Sequence, residues 1–422
     1  MVTYCEEEPP VTALLPVDED FFRDPFPFFD RLRDSGPVHV LHARDGSRFW
    51  LVVGSTEITS GLLDRRLSKD PDLIASARTR QLSERGTITP AAEYELDEVT
   101  LFLRSFTGDV TSVVRDTLSA DHAARQAGAF GAIAADVLGG IDDTDVPVDL
   151  VQHYTLPYSI RVSSHLLGVT EPERFHRAVH AWLSARDDAG REAAVTELNA
   201  HFRATAVARQ DDPADDVVSA LVARIGVGDL DSLNRALLIF LMISSETVYS
   251  FLATATYLLL TNPAQLRSLH DDPEQITTAL EELLRLTGPH NISAQRCATE
   301  DLELGGQRIA RGDLVAFALG AANHDPAVHP CPHRFDLDRS PRRHLAFGAG
   351  RHHCPAAHHA RAALTAGLEA LLHRFPDLEL AIPADKVRWQ PSETLRSVQA
   401  LPVRLRECAA VAPSSSGRNS FG

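Results

Sequence analysis

The sequence predicts a mainly α-helical globular protein with a small β part. Apolar residues recur at helical spacing over most of the chain from about residue 55 to 287, whereas strand-like stretches are few and short. Hydrophobic residues make up 44% and charged residues 23% of the 422 positions, which are ordinary values for a folded protein. With no internal repeat, we expect one domain at 18–408, between a flexible segment at 1–17 and a disordered tail at 409–422.

The net charge limits the partners of this chain. Lysine and arginine total 41 against 58 aspartates and glutamates, which gives a formal net charge of −17. Such a protein repels nucleic acid and anionic membrane surfaces, so neither is expected as a partner. The lysines are Lys69 and Lys386; the other basic residues are arginines. Five widely spaced cysteines and an N-terminus without signal-peptide features predict a cytoplasmic protein.

The elements follow in order from spacing and turn signals. A helical pattern at 21–34 precedes two strand-like stretches, 38–41 and 49–53, whose connecting Asp45-Gly46 predicts a β-hairpin. Long helices extend to about residue 287, with breaks rich in glycine and proline. The later elements are predicted as strands at 302–304, 307–309 and 314–317, an irregular segment at 323–345, a helix at 356–375 and short strands within 387–405.

One predicted helix, at 236–260, is long and apolar enough to cross a bilayer at about 1.5 Å per residue. Glu246 lies in its middle, beside Ser244, Ser245 and Thr247, and a carboxylate at mid-bilayer costs several kcal/mol. No second such stretch accompanies it. We therefore predict a buried central helix and no membrane partner.

The segment around Cys354 carries the clearest chemical signal. Glycines at 348 and 350 let the backbone turn tightly, and Pro355 favours the first position of a helix. A thiol at a helix N-terminus is stabilised as the thiolate, which suits an axial ligand of haem iron. Two alternatives remain open from the residues alone. Cys354 could be a structural buried cysteine, or it could join a zinc site with histidines at 344, 352, 353, 358 and 359.

The same segment resembles the haem-binding signature of the cytochrome P450 family, FGxGxHxCxG. The matching residues are Phe347, Gly348, Gly350, His352 and Cys354, and Ala356 replaces the last glycine. The resemblance extends over roughly residues 20–406. It includes the Glu282-Leu-Leu-Arg285 motif, and the stretches 323–326 and 332–336 resemble the family's meander.

The resemblance implies a cytochrome P450 fold that binds haem b, with Cys354 as the proximal iron ligand. Glu282 and Arg285 would lock the meander behind the haem. Arg296 and His352 would hold the haem propionates, since a guanidinium grips a carboxylate with two hydrogen bonds. An ungapped alignment with the family's HxxxR motif adds Arg115 to this set.

In that alignment Thr111 stands where the family has histidine. A different alignment would use His122 and Arg125 instead. Of the two, we prefer Arg115.

The helix at 236–260 resembles the family's distal helix. Glu246 and Thr247 match the acid–alcohol pair that delivers protons during dioxygen activation, for which a titratable group and a relay hydroxyl are needed. The alternative is that Thr247 bonds the carbonyl four residues earlier and Glu246 points to solvent. Ile243 stands where the family prefers alanine or glycine, which would narrow the oxygen groove.

The family likeness also predicts where substrate binds. We expect the pocket to involve a loop at 75–105, residues 239–248 of the distal helix, and a set of single residues. These residues are Ile243, Ser244, Asn291, Ile292, Ser293 and Leu395.

The resemblance implies monooxygenation of a small organic molecule of the natural-product type. Oxidative coupling of aromatic groups without oxygen insertion is the alternative within the family, and Ile243 is the feature that favours it. A non-catalytic haem- or zinc-binding protein is the alternative from another class.

The implied electron source is NAD(P)H, through a ferredoxin reductase and a ferredoxin. From residue 339 to 368 there is no aspartate or glutamate, although the chain is acidic overall. This stretch contains five histidines and the arginines at 339, 342, 343, 351 and 361. We expect it to form a basic patch that attracts an acidic ferredoxin, although a charge run is often simply solvated.

Overall fold

The computed structural model describes residues 13–14, 16, 18–43, 45–84, 109–141, 146–185, 187–340 and 343–405. Its α-helices are α1 (Glu19–Arg23), α2 (Phe26–Ser35), α3 (Ser55–Leu63), α4 (Pro71–Glu84), α5 (Asp109–Thr117), α6 (Ala120–Gly139), α7 (Leu156–Leu167), α8 (Pro172–Ser184), α9 (Asp188–Asp211), α10 (Val217–Ile225), α11 (Leu230–Leu260), α12 (Pro263–Asp271), α13 (Ile276–Thr287), α14 (Leu319–Asn323) and α15 (Ala357–Arg374).

The strands are short. They are β1 (Ala13–Leu14), β2 (Val38–His42), β3 (Arg48–Val52), β4 (Leu67–Ser68), β5 (Val148–Asp149), β6 (Arg296–Ala298), β7 (Leu302–Leu304), β8 (Gln307–Ile309), β9 (Leu314–Phe317), β10 (Glu379–Leu380) and β11 (Pro402–Arg404). The predicted class, mainly α with a small β part, is confirmed.

Six strands form the main sheet in the order β1-β2-β3-β9-β6-β4. The predicted hairpin is present, since β2 and β3 pair antiparallel, and β9 joins β3 in parallel. Ala13–Leu14, within the segment 1–17 that is predicted to be flexible, pair with β2. Residues 1–12 and the predicted tail at 409–422 lie outside the described residues, so the predicted boundaries stay predictions.

The C-terminal strand prediction for 387–405 holds only in part. Pro402–Arg404 forms β11, between β10 and β5. The remainder contributes isolated bridges, His290 with Leu395 and Trp389 with Val398. Prolines and short polar runs in this segment leave few consecutive residues able to pair.

Helix α11 is the central helix. Among the described residues it alone is long and apolar enough to span a membrane, and most of its apolar stretch is buried inside the protein. It packs against α7, α9, α13 and α15. The helix is therefore a buried core element, as the position of Glu246 suggested.

Helix α15, which follows Cys354, lies close against α7 and α11. A Cβ atom added to Gly367 would stand 2.9 Å from Tyr158 Cε1, so glycine permits this close approach. The Tyr154 hydroxyl donates to the carbonyl of Gly367 over 2.5 Å, and the Tyr158 hydroxyl donates to that of Ala363 over 2.7 Å. Tyr158 in α7 and Tyr154 in the turn just before it thus fix α15 in place.

A buried charge cluster holds the irregular segment at 323–345. Glu282 and Arg285 are fully buried, with Arg285 Nε 2.7 Å and Nη2 2.8 Å from the two carboxylate oxygens. Arg285 Nη1 also donates to the carbonyls of Asn323 and Pro332. Because one guanidinium joins helix α13 to two distant points of the irregular segment, this pair determines where the segment lies.

Arg339 belongs to the same buried cluster. Its Nε is 2.9 Å from Glu282 Oε1, and its other nitrogens donate to the carbonyls of Pro330, Cys331 and Arg334. The prediction that Arg339 belongs to the exposed basic patch is therefore wrong. Arg339 binds the buried carboxylate of Glu282, whose position could not be known from the sequence.

Candidate active site

Cys354 is held by a tight loop in front of helix α15. The Cys354 N–H donates to the carbonyl of Phe347 over 2.9 Å, which closes the loop. Gly348 and Gly350 have φ values of 66° and 70°, in the left-handed region that favours glycine. A Cβ atom added to Gly350 would stand 2.8 Å from Leu63 Cδ2. The glycines of the signature are thus required by backbone shape and close contact.

Burial opposes the thiolate that is expected at Cys354. Burial raises the pKa of its thiol, and the backbone hydrogen bond of Ala356 offsets only part of this effect. Helix α15 begins at Ala357, so Pro355 precedes its N-cap and the thiol stands outside the first turn. The helix N-terminus alone therefore does not favour the thiolate, whereas coordination to a metal ion deprotonates a thiol.

A cavity of about 870 Å³ is bounded by the Cys354 loop and helix α11. This volume is typical of small-molecule and cofactor sites. Most of the predicted site residues line it, namely Cys354, His352, Arg296, Arg115, Phe347, Gly348, Ile243, Ser244, Thr247 and Ser293.

Three predicted pocket residues, Asn291, Ile292 and Leu395, are not among the described residues that line this cavity. The Asn291 N–H donates to the carbonyl of Thr394, and the Asn291 carbonyl accepts from Gly320. These backbone hydrogen bonds hold Asn291 behind the residues that line the cavity. Their neighbours Pro289, His290 and Ala294 face the cavity instead.

The predicted substrate loop at 75–105 is described only to residue 84. That part lies in helix α4, and none of its residues lines the cavity. Residues 85–105 lie outside the described part of the chain. The prediction for them therefore stays a prediction.

Arg296 is buried in the cavity wall, 1% exposed. Its Nη1 donates to the carbonyls of Gly61 and Leu62, while its Nε is buried without a hydrogen-bond partner among the described residues. Burial, reinforced by the charge of Arg351, lowers the pKa of Arg296 to about 10. A buried guanidinium with an unused donor is suited to bind an anion.

Positive charge gathers around Arg296. Burial, followed by the charges of Lys69, Arg296 and Arg351, lowers the pKa of His352 to about 3. Arg351 Nε donates to His352 Nε2 over 3.0 Å. The described lining also includes the basic residues Arg65 and Arg115. This set of donors fits a haem, whose two propionates would supply the missing negative charge.

The structure favours Arg115 over the alternative pair at 122 and 125. Arg115 lines the cavity, and its Nη2 donates to the carbonyl of Arg351 over 3.1 Å. Arg125 binds Asp215 over 2.7 Å instead. His122 is 2.6 Å from His359 Nε2 through its Nδ1 and is not among the described cavity residues.

Hydroxyls of helix α11 reach the cavity from its other wall. The Thr247 hydroxyl donates to the carbonyl of Ile243 over 2.8 Å, the local bond that was weighed as an alternative. The Ser244 hydroxyl lies 2.8 Å from the Ser163 hydroxyl, and Ser245 lies 3.2 Å from the same oxygen. Ser163, on helix α7, also lines the cavity.

Glu246 points away from the hydroxyls that line the cavity. Its side chain is exposed and is not among the described cavity residues. Neighbouring protein atoms nevertheless remove part of the water around the Glu246 carboxyl, and this desolvation raises its pKa. The acid–alcohol pair is therefore adjacent in sequence, but only Thr247 lines the cavity.

The zinc alternative does not fit the histidines near Cys354. The described residues contain no group of three or more histidine, cysteine, aspartate or glutamate side chains placed to share a metal ion. His344 binds Glu281 over 3.0 Å, and His359 binds His122. Although several of these residues line the same cavity, those in the described part of the chain do not converge on one metal position.

Sequence reasoning missed several cavity residues. Lys69, His290 and Ser163 line the cavity from three different elements. The rarity of lysine in this chain was the available signal for Lys69. Nothing in the local sequence marked His290 or Ser163, which reach the cavity through the tertiary fold.

Comparison with known proteins gives the relationship. The profile of the family described as "Cytochrome P450" matches residues 227–394. The chain is 32% identical over 409 residues to "Cytochrome P450 monooxygenase PikC" of Streptomyces venezuelae, across 94% of this chain and 95% of that protein. It is 33% identical over 389 residues to "Mycinamicin IV hydroxylase/epoxidase" of Micromonospora griseorubida, across 89% and 94%.

Solved structures agree with the sequence relatives. The crystal structure of cytochrome P450 MoxA from Nonomuraea recticatena has a TM-score of 0.80 and 29% identity, across 94% of this chain and 99% of that chain. The tirandamycin C-bound P450 monooxygenase TamI has a TM-score of 0.77 and 29% identity, across 94% and 100%. With 32% identity to one such monooxygenase across 94% of its length, this chain belongs to the cytochrome P450 family and is a haem-thiolate monooxygenase.

Proposed function

We propose that this protein hydroxylates or epoxidises a small molecule of the natural-product type in secondary metabolism. The observation that carries the proposal is that Cys354 and the hydroxyls of helix α11 line the same cavity. The names of two relatives, "Mycinamicin IV hydroxylase/epoxidase" and "6-deoxyerythronolide B hydroxylase", support the reaction type. When bound, haem b supplies an iron centre that activates dioxygen with two electrons.

The protein's part begins with binding and orientation. Cys354 Sγ would ligate the iron, and the loop hydrogen bond to Phe347 keeps that sulfur in place. Arg296, His352 and Arg115 would hold the propionates. Because Arg296 is already fixed by the carbonyls of Gly61 and Leu62, little side-chain entropy remains to be lost on binding.

The second part is proton delivery. Thr247 Oγ1 lines the cavity and can pass a proton once its local bond to the Ile243 carbonyl is exchanged for a water or a substrate. Ser244 and Ser163 provide a second pair of hydroxyls 2.8 Å apart. Glu246, whose pKa is raised, is exposed and would reach these hydroxyls only through water.

The cavity wall suits a largely apolar substrate with a few polar groups. Phe240, Val248 and Phe251 supply apolar surface, while Ser163 and Ser293 supply hydrogen-bonding groups. Oxidative coupling is the second candidate reaction, because Ile243 lines the cavity and, being bulkier than the alanine or glycine that the family prefers, would narrow the space for oxygen.

We further propose that electrons come from NAD(P)H through a ferredoxin reductase and a ferredoxin, in the cytoplasm. Two of the five arginines expected in the basic patch are bound elsewhere, since Arg339 pairs with Glu282 and Arg361 with Glu281. The exposed basic residues of the described stretch are Arg343, Arg351, His353 and His358. These would form the smaller docking surface.

The proposal is tested by the Cys354→Ala variant and by isotope labelling. After reduction and exposure to carbon monoxide, we expect the parent to give the strongly red-shifted Soret band of a thiolate ligand, and the variant to lack it together with all oxygenase activity. Product formed under ¹⁸O₂ should carry the label. An unlabelled, cross-linked product would favour coupling, and a red-shifted band in the variant would contradict Cys354 as ligand.

A further inference from the structure

Lys69 stands out in the cavity wall because a lysine is rare in this chain and unexpected there. It follows strand β4 and lines the cavity together with Arg296 and Cys354. No hydrogen bond or ion pair joins its ammonium to another residue within the described ranges. The other lysine, Lys386, is exposed and lies 3.6 Å from Asp385.

The strand register explains why Lys69 and Arg296 share this wall. In the antiparallel pair of β4 and β6, Leu67 stands opposite Ala298 and Ser68 opposite Cys297. Continued by one residue, this register sets Lys69 opposite Arg296. Directly opposed side chains project on the same face of a sheet, and like charges at such positions are destabilising. The arrangement therefore calls for an anion between them.

The charges around Lys69 support that conclusion. Burial, followed by the charge of Arg296, lowers the pKa of Lys69 to about 8, although Cys354 partly offsets this. Lys69 in turn contributes to the low pKa of His290. Lys69 and Arg296 thus lie where positive charge already disfavours a further proton.

The nearby carboxylates are engaged by other groups. Asp64 binds Arg66 over 2.7 Å. Asp70, the next residue after Lys69, accepts from the backbone N–H groups of Asp72 and Leu73. Asp70 also lines the cavity, and the charge of Asp64 raises the pKa of Arg296, but among the described residues neither carboxylate forms an ion pair with Lys69 or Arg296. An anion that enters the cavity can therefore still pair with both cations.

We propose that Lys69 donates a charge-assisted hydrogen bond to a haem propionate and takes the place of the histidine that Thr111 replaces. The proposal rests on the proposed haem site. It adds a fourth donor, and a third cation, to Arg296, His352 and Arg115, and this donor follows strand β4 instead of lying on helix α5. Lys69 would then bind the cofactor in this chain in place of the family's histidine.

The main test measures haem loss from the holoenzyme to an excess of a haem-free globin. Removing a charged hydrogen bond should speed haem loss from Lys69→Gln about tenfold. Lys69→Arg, which keeps the charge, should stay within about threefold of the parent. Lys386→Gln is the matched control and should lose haem at the parent rate.

The decisive arm replaces haem b by haem dimethyl ester, whose propionates carry no charge. With the ester, Lys69→Gln should lose the cofactor at about the same rate as the parent. A difference that persists with the ester would overturn the proposal, because Lys69 would then act on another group. Equal haem loss from the parent and Lys69→Gln with haem b would overturn it as well.

A measurement on the unsubstituted holoenzyme guards against a misfolded variant. Reductive ¹³C-methylation labels Lys69, Lys386 and the N-terminus, and Lys386→Gln assigns the signals. The pKa of Lys69 should be near its ordinary value of about 10.4 with haem b, and lower with the ester. An unchanged pKa would contradict the proposal. A parent without the red-shifted carbon monoxide band would instead contradict the proposed haem site itself.

Discussion

The two walls of the cavity are stabilised in different ways. On the cysteine side, the irregular segment and the loop are held by the buried cluster of Glu282, Arg285 and Arg339, and by backbone hydrogen bonds such as that from Cys354 to Phe347. On the helix α11 side, the hydroxyls of Ser244 and Thr247 bond mainly to carbonyls of their own helix.

The cysteine side therefore mainly maintains the shape of the site, whereas the helix α11 side mainly supplies groups for the reaction. A buried carboxylate that holds two guanidinium groups cannot lose one partner without leaving charge uncompensated in the interior. A hydroxyl that returns to its own helix can exchange that bond for a water or a substrate at little cost. We therefore expect substitutions on the cysteine side to act on folding and haem retention, and substitutions on the helix side to act on the reaction.

The largest expected effect is on stability. Glu282→Ala should destabilise the protein by about 3–5 kcal/mol, because Arg285 and Arg339 would both remain buried without their carboxylate. Chemical denaturation of the holoenzyme measures this change.

The matched control is Glu281→Ala, one residue earlier on the same helix α13. Glu281 binds Arg361 over 2.6 Å and His344 over 3.0 Å, but it is partly exposed. Its removal should cost about 1 kcal/mol. Equal losses for the two variants would mean that burial of the Glu282 cluster is not what holds this side together.

A smaller effect, on the reaction alone, is expected at Thr247. Without its hydroxyl a cavity proton donor is lost, so Thr247→Ala should form several-fold less product per NAD(P)H consumed and release more hydrogen peroxide. Product and peroxide are quantified in the same reaction. Thr254→Ala is the control, since it lies on the same helix but not among the described cavity residues.

An unchanged product ratio in Thr247→Ala would show that protons arrive by another route. The hydroxyl pair of Ser244 and Ser163 would be the next candidate, because it also lines the cavity. The unfolding midpoint should move little in either case, which keeps this effect distinct from that at Glu282.

The sequence predicted the two walls with unequal success, for physical reasons. The cysteine loop was predictable because its shape requires glycine at positions with positive φ, such as Gly348. The pairing of Glu282 with Arg285 was visible at helical spacing. The third member, Arg339, was missed because the contact depends on an irregular segment whose path has no sequence periodicity.

Pocket residues were harder because neighbours in a loop alternate between wall and interior. Asn291 was predicted to face the cavity, but its backbone bonds turn it inward and leave His290 at the surface of the cavity. Lys69 was missed because its position depends on the register of β4 against β6, two strands far apart in sequence. Local spacing cannot supply either fact.

The smallest expected effect concerns the outer face of the cysteine side, where charge is exposed rather than buried. Arg343 is exposed, and Arg342 beside it lies outside the described residues. If this face docks an acidic ferredoxin, Arg342→Glu with Arg343→Glu should slow reduction by ferredoxin about tenfold at low salt, because steering acts on the association rate. Stopped-flow reduction at several salt concentrations measures it.

Screening sharpens this last test. At physiological ionic strength the Debye length is about 8 Å, so the difference from the parent should fade as salt is added. Arg177→Glu with Arg308→Glu changes the net charge equally at exposed positions of helix α8 and strand β8, and should leave the rate near that of the parent. Dithionite reduction and haem content should be unchanged in both double variants. Equal slowing by both would point to overall charge and not to a docking surface on the cysteine side.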